Sequence, residues 1–417
     1  MKHYFRIIAG MLLFAIPLCL TAQVKPTKTE KPKIEKNTNS DKPVVNSEKP
    51  VLKMEKTVKS EKPETNSEEK HMKPENGPKG GLEMPKISGF VKGLYQAILS
   101  DKGNLLDNTL RMRRVRVSID GKLSKTVSYK IQGDFVRSPM LVDAYLKYKP
   151  CKEFAIQVGQ FKTPFTLESP INPVNLEIFD YGESVQQLSG YSDICGTKAI
   201  GRDIGVMATG SLFPVEKNGE IAYNIVDYAV GVFNGNGVNV IDNNNRKDLV
   251  GRLEVHPGLK ALTLSGSYYY GGYHFALNDT IKGTVARDRW TAGLQYNDGK
   301  FVIRGEYING TTGYYNLTVD DNNNPIEQYR FSKGYYAVAG YNFQVGEQKI
   351  MPVLRYEHFE PGDMNGIVYG ETNWYTVGIN YWLLKSVNFK LDYSLVEEVL
   401  GQKTYSHRVV GILSYKF

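Results

Sequence analysis

The stretch VNFKLDYSL, residues 387–395, alternates strictly between apolar and polar side chains. Successive side chains of a β-strand point to opposite faces, whereas a helix repeats every 3.6 residues. A strand would therefore carry Asn388 and Lys390 on one face, and Phe389 and Leu391 on the other. The stretch predicts a β-strand with one polar face and one apolar face.

The same alternation recurs at residues 126–135 and 404–417, and sixteen such runs are found between residues 87 and 417. Turn-forming clusters such as Asn297-Asp298-Gly299 separate the runs. The connections alternate between short and long, except that 137–140 is short where a long one is expected. The short connections are 121–125, 150–152, 257–259, 297–299 and 383–385, and the long ones include 163–201, 234–246, 272–285 and 311–331.

An even number of amphipathic strands, with short turns at one end and longer loops at the other, is typical of outer-membrane barrels. Hydrocarbon offers no hydrogen-bond partners, so a sheet in a membrane must close on itself. We therefore predict an all-β fold, a 16-stranded antiparallel transmembrane β-barrel over residues 86–417. The alternative is a soluble sandwich or propeller. It is disfavoured because the apolar faces are rich in Gly and Ala, and because aromatic residues crowd at strand ends, as in 268–270.

The N-terminal residues predict export. Residues 1–22 combine a short basic start, an apolar stretch and a small-residue end, which is typical of a signal peptide. The alternatives are an anchor helix and a lipid attached at Cys19. The lipid is disfavoured because Leu18 occupies the position where lipoproteins have a small residue. Residues 23–85 contain no aromatic residue and repeat Glu-Lys-Pro motifs, so we predict a disordered Lys/Glu/Pro-rich tether in the periplasm.

Composition excludes several other classes of protein. The formal charge is +8, but residues 1–85 contribute +5 of it and the barrel region only +3, which argues against a nucleic-acid-binding body. Three cysteines are too few for a disulfide scaffold. We find neither a zinc-type histidine pair nor a nucleophile elbow, and therefore expect no metal, no cofactor and no enzymatic activity. The oxygen-rich loops 242–245 and 320–324 could hold calcium, but flexible surface loops are the favoured interpretation.

The polar faces of the predicted strands carry many charged residues, which we expect to line a pore. Rings of Lys and Arg favour anions and phosphate. Acids stand two residues after several of these cations on the same face, however, and would make the wall nearly neutral. The candidate pore-lining residues are Arg114, Arg116, Lys130, Arg252, Glu254, Arg304, Glu306, Arg355, Glu357, Lys390 and Arg408.

Four motifs resemble the phosphate-selective porin O and P family. They are TLRMRRVR at 109–116, GQFKTPF at 159–165, GRDIGV at 201–206 and GVFNG at 231–235. The resemblance implies a sixteen-stranded pore, usually a homotrimer, whose third long loop folds inward and narrows a channel rich in Arg and Lys. The C-terminal Phe417 resembles the signal read by the barrel-insertion machinery.

The predicted constriction loop, 163–201, departs from a simple anion-selective pattern because it carries a net charge of −4. We therefore expect an outer-membrane porin for passive diffusion of small hydrophilic solutes, with anion or phosphate preference as the less favoured reading. A plugged barrel that acts as a surface binding or adhesion protein is the alternative. Outer-membrane lipid and lipopolysaccharide are the expected surroundings. The charged residues of the constriction loop are Glu168, Glu177, Asp180, Glu183, Asp193 and Lys198.

Overall fold

A computed structural model describes residues 84–197 and 199–417, and these form one antiparallel sheet. The predicted signal peptide, residues 23–83 of the predicted tether, and Lys198 lie outside the described residues. One short helix, α1 (Glu183–Leu188), is present in the described ranges, where no helix is long and apolar enough to span a membrane. The strands are β1 Lys86–Ser100, β2 Leu105–Lys122, β3 Val127–Asp134, β4 Leu141–Tyr148, β5 Ala155–Lys162, β6 Arg202–Lys217, β7 Glu220–Phe233, β8 Asp248–Val255, β9 Leu262–Ala276, β10 Lys282–Asn297, β11 Phe301–Val319, β12 Pro325–Tyr341, β13 Phe343–Val345, β14 Gln348–Glu360, β15 Glu371–Leu384, β16 Val387–Leu400 and β17 Gln402–Lys416.

The sheet closes into a barrel. Each strand pairs with its neighbours in the chain, and β1 pairs antiparallel with both β2 and β17. The short β13 continues β12 beyond Asn342, and both pieces pair with β14, so the wall has sixteen strands, as predicted. Closure leaves no edge strand with unpaired backbone groups, which hydrocarbon would not tolerate.

The polar faces of the strands point into the barrel. On β16, Lys390 and Asp392 are each 1% exposed, whereas Phe389 and Tyr393 on the other face are 42% and 40% exposed. A soluble sandwich would bury its apolar face and expose its polar one. The observed arrangement is that of a membrane barrel, in which lipid surrounds the apolar side.

Outward-facing aromatic side chains form two bands. Trp290 stands seven residues before the end of β10 at Asn297, or about 23 Å along the strand, close to the height of the apolar belt of such barrels. On β5–β8 the outward side chains near the second band are aliphatic instead. The first band contains Phe301, Tyr341, Phe343, Phe389, Tyr415 and Phe417; the second contains Tyr268, Trp290, Tyr307, Tyr335, Tyr356, Tyr375 and Tyr393.

All five predicted short turns lie at one end of the barrel, which we call the short-turn end; β1 begins and β17 ends there too. The predicted loops 272–285 and 311–331 are mostly strand, because β9–β10 and β11–β12 extend as hairpins and leave loops of only 277–281 and 320–324. Beyond the lipid both faces of a hairpin can be polar. Backbone pairing then continues without the alternation that reveals a strand in the sequence.

Candidate functional site

Residues 163–201, which we call the inner loop, connect β5 to β6 and fold into the barrel. The inner loop contacts inward side chains of strands far apart around the ring, from Lys92 on β1 to Arg289 on β10 and Arg355 on β14. A segment can reach all of these only from inside the ring. The loop also shares a buried apolar cluster with the wall. This cluster includes Phe165, Leu176, Ile178, Tyr181, Val185, Leu188 and Tyr191 of the loop, and Phe161, Val302, Ile308, Tyr336, Val338, Val353 and Phe359 of the wall.

Two buried arginines clamp the inner loop. Arg304 donates to both oxygens of Glu177, at 3.2 and 2.6 Å, and to Glu168 at 3.3 Å. Arg355 makes a bidentate contact with Glu168 and also binds Glu357 at 2.7 Å. Both arginines are 3% exposed or less, and such charge-assisted bonds are among the strongest in proteins. The clamp ties the loop to β11 and β14.

The other acids of the inner loop also have partners. Asp193 accepts bonds of 2.5 and 2.7 Å from Arg289, and Asp180 accepts a bond of 3.1 Å from Nε of Arg113. Glu183 accepts bonds from the Thr372 hydroxyl at 2.7 Å and the Trp374 indole at 2.6 Å. The loop's expected charge of −4 is therefore engaged with the wall.

These carboxylates are held in the ionised form. Burial alone would raise the pKa of the Asp180 carboxyl, but the charges of Arg113, Lys92 and Arg114 outweigh burial and hold its pKa below the ordinary range. In the same way, Arg355 and Arg304 lower the pKa of Glu168 against the effect of its burial.

Two buried lysines hold the backbone of the loop. Lys92 donates to the carbonyls of Pro173, at 3.2 Å, and Phe179, at 2.5 Å, and Lys390 donates to that of Leu176. Arg408 lies over the ring of Phe179, 4.4 Å from its centroid. We call the set Lys92, Arg289, Arg304, Arg355 and Lys390 the covered wall, because the loop lies on it.

A β-bulge on β2 gathers arginines beside Lys92. Lys92 pairs with Arg114, but its neighbour Gly93 pairs with Met112, so Arg113 is the extra residue. Arg111 and Arg114 then both stand opposite inward residues of β1, and Arg113 reaches Asp180 of the inner loop. A bulge breaks the alternation of side chains in this way. Arg116 follows inward and Arg137 joins from the β3–β4 loop; these five form what we call the open wall: Arg111, Arg113, Arg114, Arg116 and Arg137.

The open wall has more cations than acids. Asp134 binds Arg116 at 3.0 Å and lies 3.6 Å from Arg114, while Asp180 serves Arg113. Among the described residues, no acid lies within salt-bridge distance of Arg111 or Arg137. Five guanidinium groups thus share two carboxylates.

Two cavities follow one another along this wall. The first, of about 460 Å³, lies between the inner loop and Arg111, Arg113, Arg114 and Arg137. The second, of about 290 Å³, continues toward the short-turn end past Arg116. Arg114 borders the first cavity and Arg116, two residues further along β2, borders the second. The second cavity is also lined by Lys130, Gln132, Asp143, Lys162 and Arg202.

The structure distributes the candidate pore-lining residues over these regions. Only two of the expected same-strand pairs form, Arg252–Glu254 at 3.3 Å and Arg355–Glu357 at 2.7 Å. Residues two apart on one face are about 7 Å apart, so a partner from the loop or the next strand comes closer. Lys130 accordingly binds Asp120. Arg114 and Arg116 belong to the open wall, and Lys130 lines the second cavity. The covered wall contains Arg304, Arg355 and Lys390, with Glu306 and Glu357 beside them. A cavity near the short-turn end is lined by Arg252 and Glu254, and Arg408 packs on Phe179.

Sequence reasoning missed Arg111, Arg113, Arg137 and Lys92. The run RMRRVR at 111–116 carries the signal for three of the inward arginines, because four arginines in six residues cannot share one face of a regular strand. Arg137 lies in a loop, where no periodicity applies.

The motifs 201–206 and 231–235 fasten the exit of the inner loop. Arg202 makes a bidentate pair with Asp143, at 2.7 and 3.1 Å, and Asp203 accepts the backbone N–H of Gly235 at 2.7 Å. Gly201 has φ +67°, and a Cβ there would lie 2.8 Å from the ring of Tyr191. The motif residues thus fix the point at which the loop rejoins the wall.

Comparison with known proteins gives a family and a fold. The family model described as phosphate-selective porin O and P matches residues 87–409. No curated protein sequence matches the chain.

Solved porins share the architecture at low sequence identity. The anion-selective porin from Comamonas acidovorans is 12% identical, with TM-score 0.56, covering 80% of this chain and 99% of that one. The outer-membrane channel DcaP of Acinetobacter baumannii is 15% identical, with TM-score 0.55, covering 82% and 99%. The trimer form of OmpT from Vibrio cholerae is 12% identical, with TM-score 0.52, covering 80% and 100%.

Proposed function

The chain belongs to the phosphate-selective porin O and P family, and we propose that it is an outer-membrane channel for small hydrophilic solutes with a preference for anions. The observation that carries the preference is the open wall, where five arginines share two carboxylates beside two cavities of the interior. Walls rich in Arg and Lys lower the energy of an anion in a pore and raise that of a cation.

Four of the five acids of the inner loop do not oppose this preference; the fifth, Glu183, accepts bonds from neutral donors. Each salt-bridged acid faces an arginine at hydrogen-bond distance, so its field is largely cancelled at the distance of a passing solute. Free carboxylates would disfavour anions, whereas these carboxylates are paired in the folded protein. The inner loop narrows the path, and its packed core keeps the narrowing at fixed size.

Transport in this proposal is diffusion down a gradient, with no catalytic step and no cofactor. An anion enters the first cavity, exchanges part of its hydration for guanidinium hydrogen bonds, and leaves past Arg116 and Lys130. The arginines outnumber the acids by enough to attract anions, and water around them weakens each contact enough for release.

The test is the reversal potential of purified protein in a planar bilayer under a salt gradient. We expect a reversal potential whose sign shows that anions permeate faster than cations. Inorganic phosphate should lower the chloride conductance because it binds to the open wall. Faster permeation of the cation would overturn the preference while leaving the channel intact.

A plugged barrel that binds a partner at the surface is the second candidate. The observation that favours it is the buried apolar cluster between the inner loop and the wall, which fills part of the interior. Purified protein inserted in bilayers would then give no steps of current.

We also propose a homotrimer whose contacts use the aliphatic outward surface of β5–β8. Val158, Val206, Val232 and Leu249 there are 44–49% exposed, and no aromatic belt separates them from the long-loop end. Val232→Lys should dissociate the trimer in native electrophoresis. Leu294→Lys on β10 is the control, because it places the same charge toward lipid on the aromatic side.

The remaining parts of the proposal concern export and assembly. Residues 1–22 are a signal peptide and 23–85 a periplasmic tether, since β1 begins at the short-turn end, which faces the periplasm in such barrels. The outer surface meets lipid and lipopolysaccharide. Phe417, whose backbone exchanges bonds of 2.9 and 3.1 Å with Gly89, is the signal for the insertion machinery. A mature N-terminus at Gln23, and loss of assembled barrel on deleting Phe417, are the expected results.

A further inference from the structure

Three potential metal ligands meet near the short-turn end of the barrel. Asp227 on β7 and Glu254 on β8 are paired across the two strands and point inward. His256, which follows β8, brings its Nε2 within 3.0 Å of Asp227 Oδ2. One ligand atom from each of the three side chains lies within 4.8 Å of those of the others.

The histidine ring is oriented from its far side. Its Nδ1 lies 3.1 Å from the carbonyl oxygen of Leu262 and 3.2 Å from the hydroxyl of Thr263. In the tautomer that carries its proton on Nδ1, where it donates to this carbonyl, Nε2 has a free lone pair on the side of the Asp227 carboxylate. A proton on Nε2 makes this contact a hydrogen bond, and a metal ion that displaces the proton would be bound by Nε2 and the carboxylate together. A carbonyl that fixes the ring from behind is the usual second contact of a metal-bound histidine.

From this geometry we propose that Asp227, Glu254 and His256 bind a divalent transition-metal ion of the zinc class. One imidazole nitrogen and two carboxylate oxygens suit zinc and its neighbours, whereas calcium and magnesium prefer oxygen alone. The three groups border a cavity of about 250 Å³, so a fourth ligand can come from solvent. The site is separate from the open wall and does not depend on anion preference.

The surrounding cations set the strength of the site. Arg252 lies 3.3 Å from Glu254 and competes with the ion for that carboxylate. Lys147, Lys149 and Lys152 line the same cavity and also oppose a dication. The ion is consequently exchangeable, and removal of Arg252 should tighten its binding.

The experiment is titration of the purified full chain in detergent with zinc chloride, followed by calorimetry. We expect the wild-type protein to bind one zinc ion at this site. His256→Ala and Asp227→Asn should each weaken zinc binding at least about tenfold. His274→Ala is the matched control, since His274 is exposed and belongs to neither of the two histidine and carboxylate groups found among the described residues. A tenfold excess of magnesium or calcium should not displace the zinc.

Two further variants keep the proposal falsifiable. Arg252→Gln should tighten zinc binding several-fold. If the ion pair between Arg252 and Glu254 only stabilised the strand, its loss would not tighten zinc binding. His358→Ala tests the other histidine and carboxylate group, with Glu360 and Glu371. Zinc retained by both His256→Ala and Asp227→Asn would overturn the site and leave a histidinium–aspartate ion pair. Zinc lost only in His358→Ala would overturn it equally. Circular dichroism of every variant verifies the barrel.

Discussion

The covered wall and the open wall use the same kind of residue for opposite purposes. Arg304 and Arg355 are 3% exposed or less and their guanidinium groups are occupied by Glu168, Glu177 and Glu357. On the open wall, Arg111 is exposed and Arg137 is half-buried. An arginine with a buried partner stabilises a structure, whereas one that faces water shapes the electric potential for whatever passes.

The physical reason is the balance of desolvation against pairing. Removing a guanidinium from water costs several kcal/mol, and hydrogen bonds to a carboxylate offset that cost only when the geometry is good. The covered wall meets this condition through the inner loop. On the open wall Arg114 and Arg116 are buried as well, but Arg111, Arg113 and Arg137 keep contact with water, so their charges remain available to solutes at the expense of weaker individual contacts.

The largest effect is expected when the clamp is opened. Glu168→Gln removes the charge shared by Arg304 and Arg355 and should destabilise the inner loop by about 3 kcal/mol, as for other buried pairs that lose a partner. Single-channel conductance should rise as the loop leaves the path. Glu360→Gln, which removes an exposed acid paired with Lys333, is the control and should leave conductance unchanged. Equal conductance in both variants would mean that Glu168 does not hold the loop.

The next effect concerns the open wall. Arg111→Ala combined with Arg137→Ala should shift the reversal potential toward zero, lowering anion over cation permeability by about threefold, because two positive charges without a salt-bridge partner among the described residues leave the first cavity. Lys403→Ala is the matched control, since Lys403 is exposed and lies outside both cavities. A reversal potential equal to that of wild type would exclude this cavity from the conduction path.

A smaller effect is expected where the inner loop rejoins the wall. Gly201→Ala meets Tyr191 at 2.8 Å in addition to the strain of its φ of +67°, and should cost about 2 kcal/mol of stability. Gly219→Ala has a similar φ of +80° but nothing within 4 Å of the new Cβ, and should cost about 1 kcal/mol. Thermal unfolding compares the two. An equal cost at both positions would show that packing at Gly201 is loose.

The smallest effect is expected from mild acid. Glu168 and Asp180 have lowered pKa values in the folded protein, so they bind protons more readily when unfolded. Their stabilising contribution is complete above about pH 5 and is lost only as the pH falls below the ordinary carboxyl range near 4. The difference in thermal stability between wild type and Glu168→Gln should therefore be the same at about pH 7 and pH 5 in otherwise identical salt. A smaller difference already at pH 5 would contradict the assigned pairing.

The strands were predictable because lipid imposes a strict two-residue period on every residue that crosses it. The same rule located the inward side of Arg116, Arg304 and Lys390. It failed at 272–285 and 311–331, where hairpins extend past the lipid and both faces meet water. It also failed at Arg113, where one extra residue in β2 changes which side chains point inward.

The partners of the charges could not be predicted in the same way. Arg304 was expected to pair with Glu306 two residues away, yet it binds Glu177 and Glu168, which are more than a hundred residues away in the chain. Such contacts depend on how the inner loop packs its apolar side chains, and this packing has no period in the sequence.

By itself, the sequence determined a closed barrel of sixteen strands with an apolar outside and a charged inside, because the membrane leaves backbone groups no other arrangement. Only the tertiary structure decided which of the inward charges are neutralised. Coulomb energies depend on distance and burial, and both are set by where the inner loop lies against the wall. In the sequence, the negative charge of that loop predicts a barrier to anions. In the folded protein, its carboxylates form one half of a buried clamp.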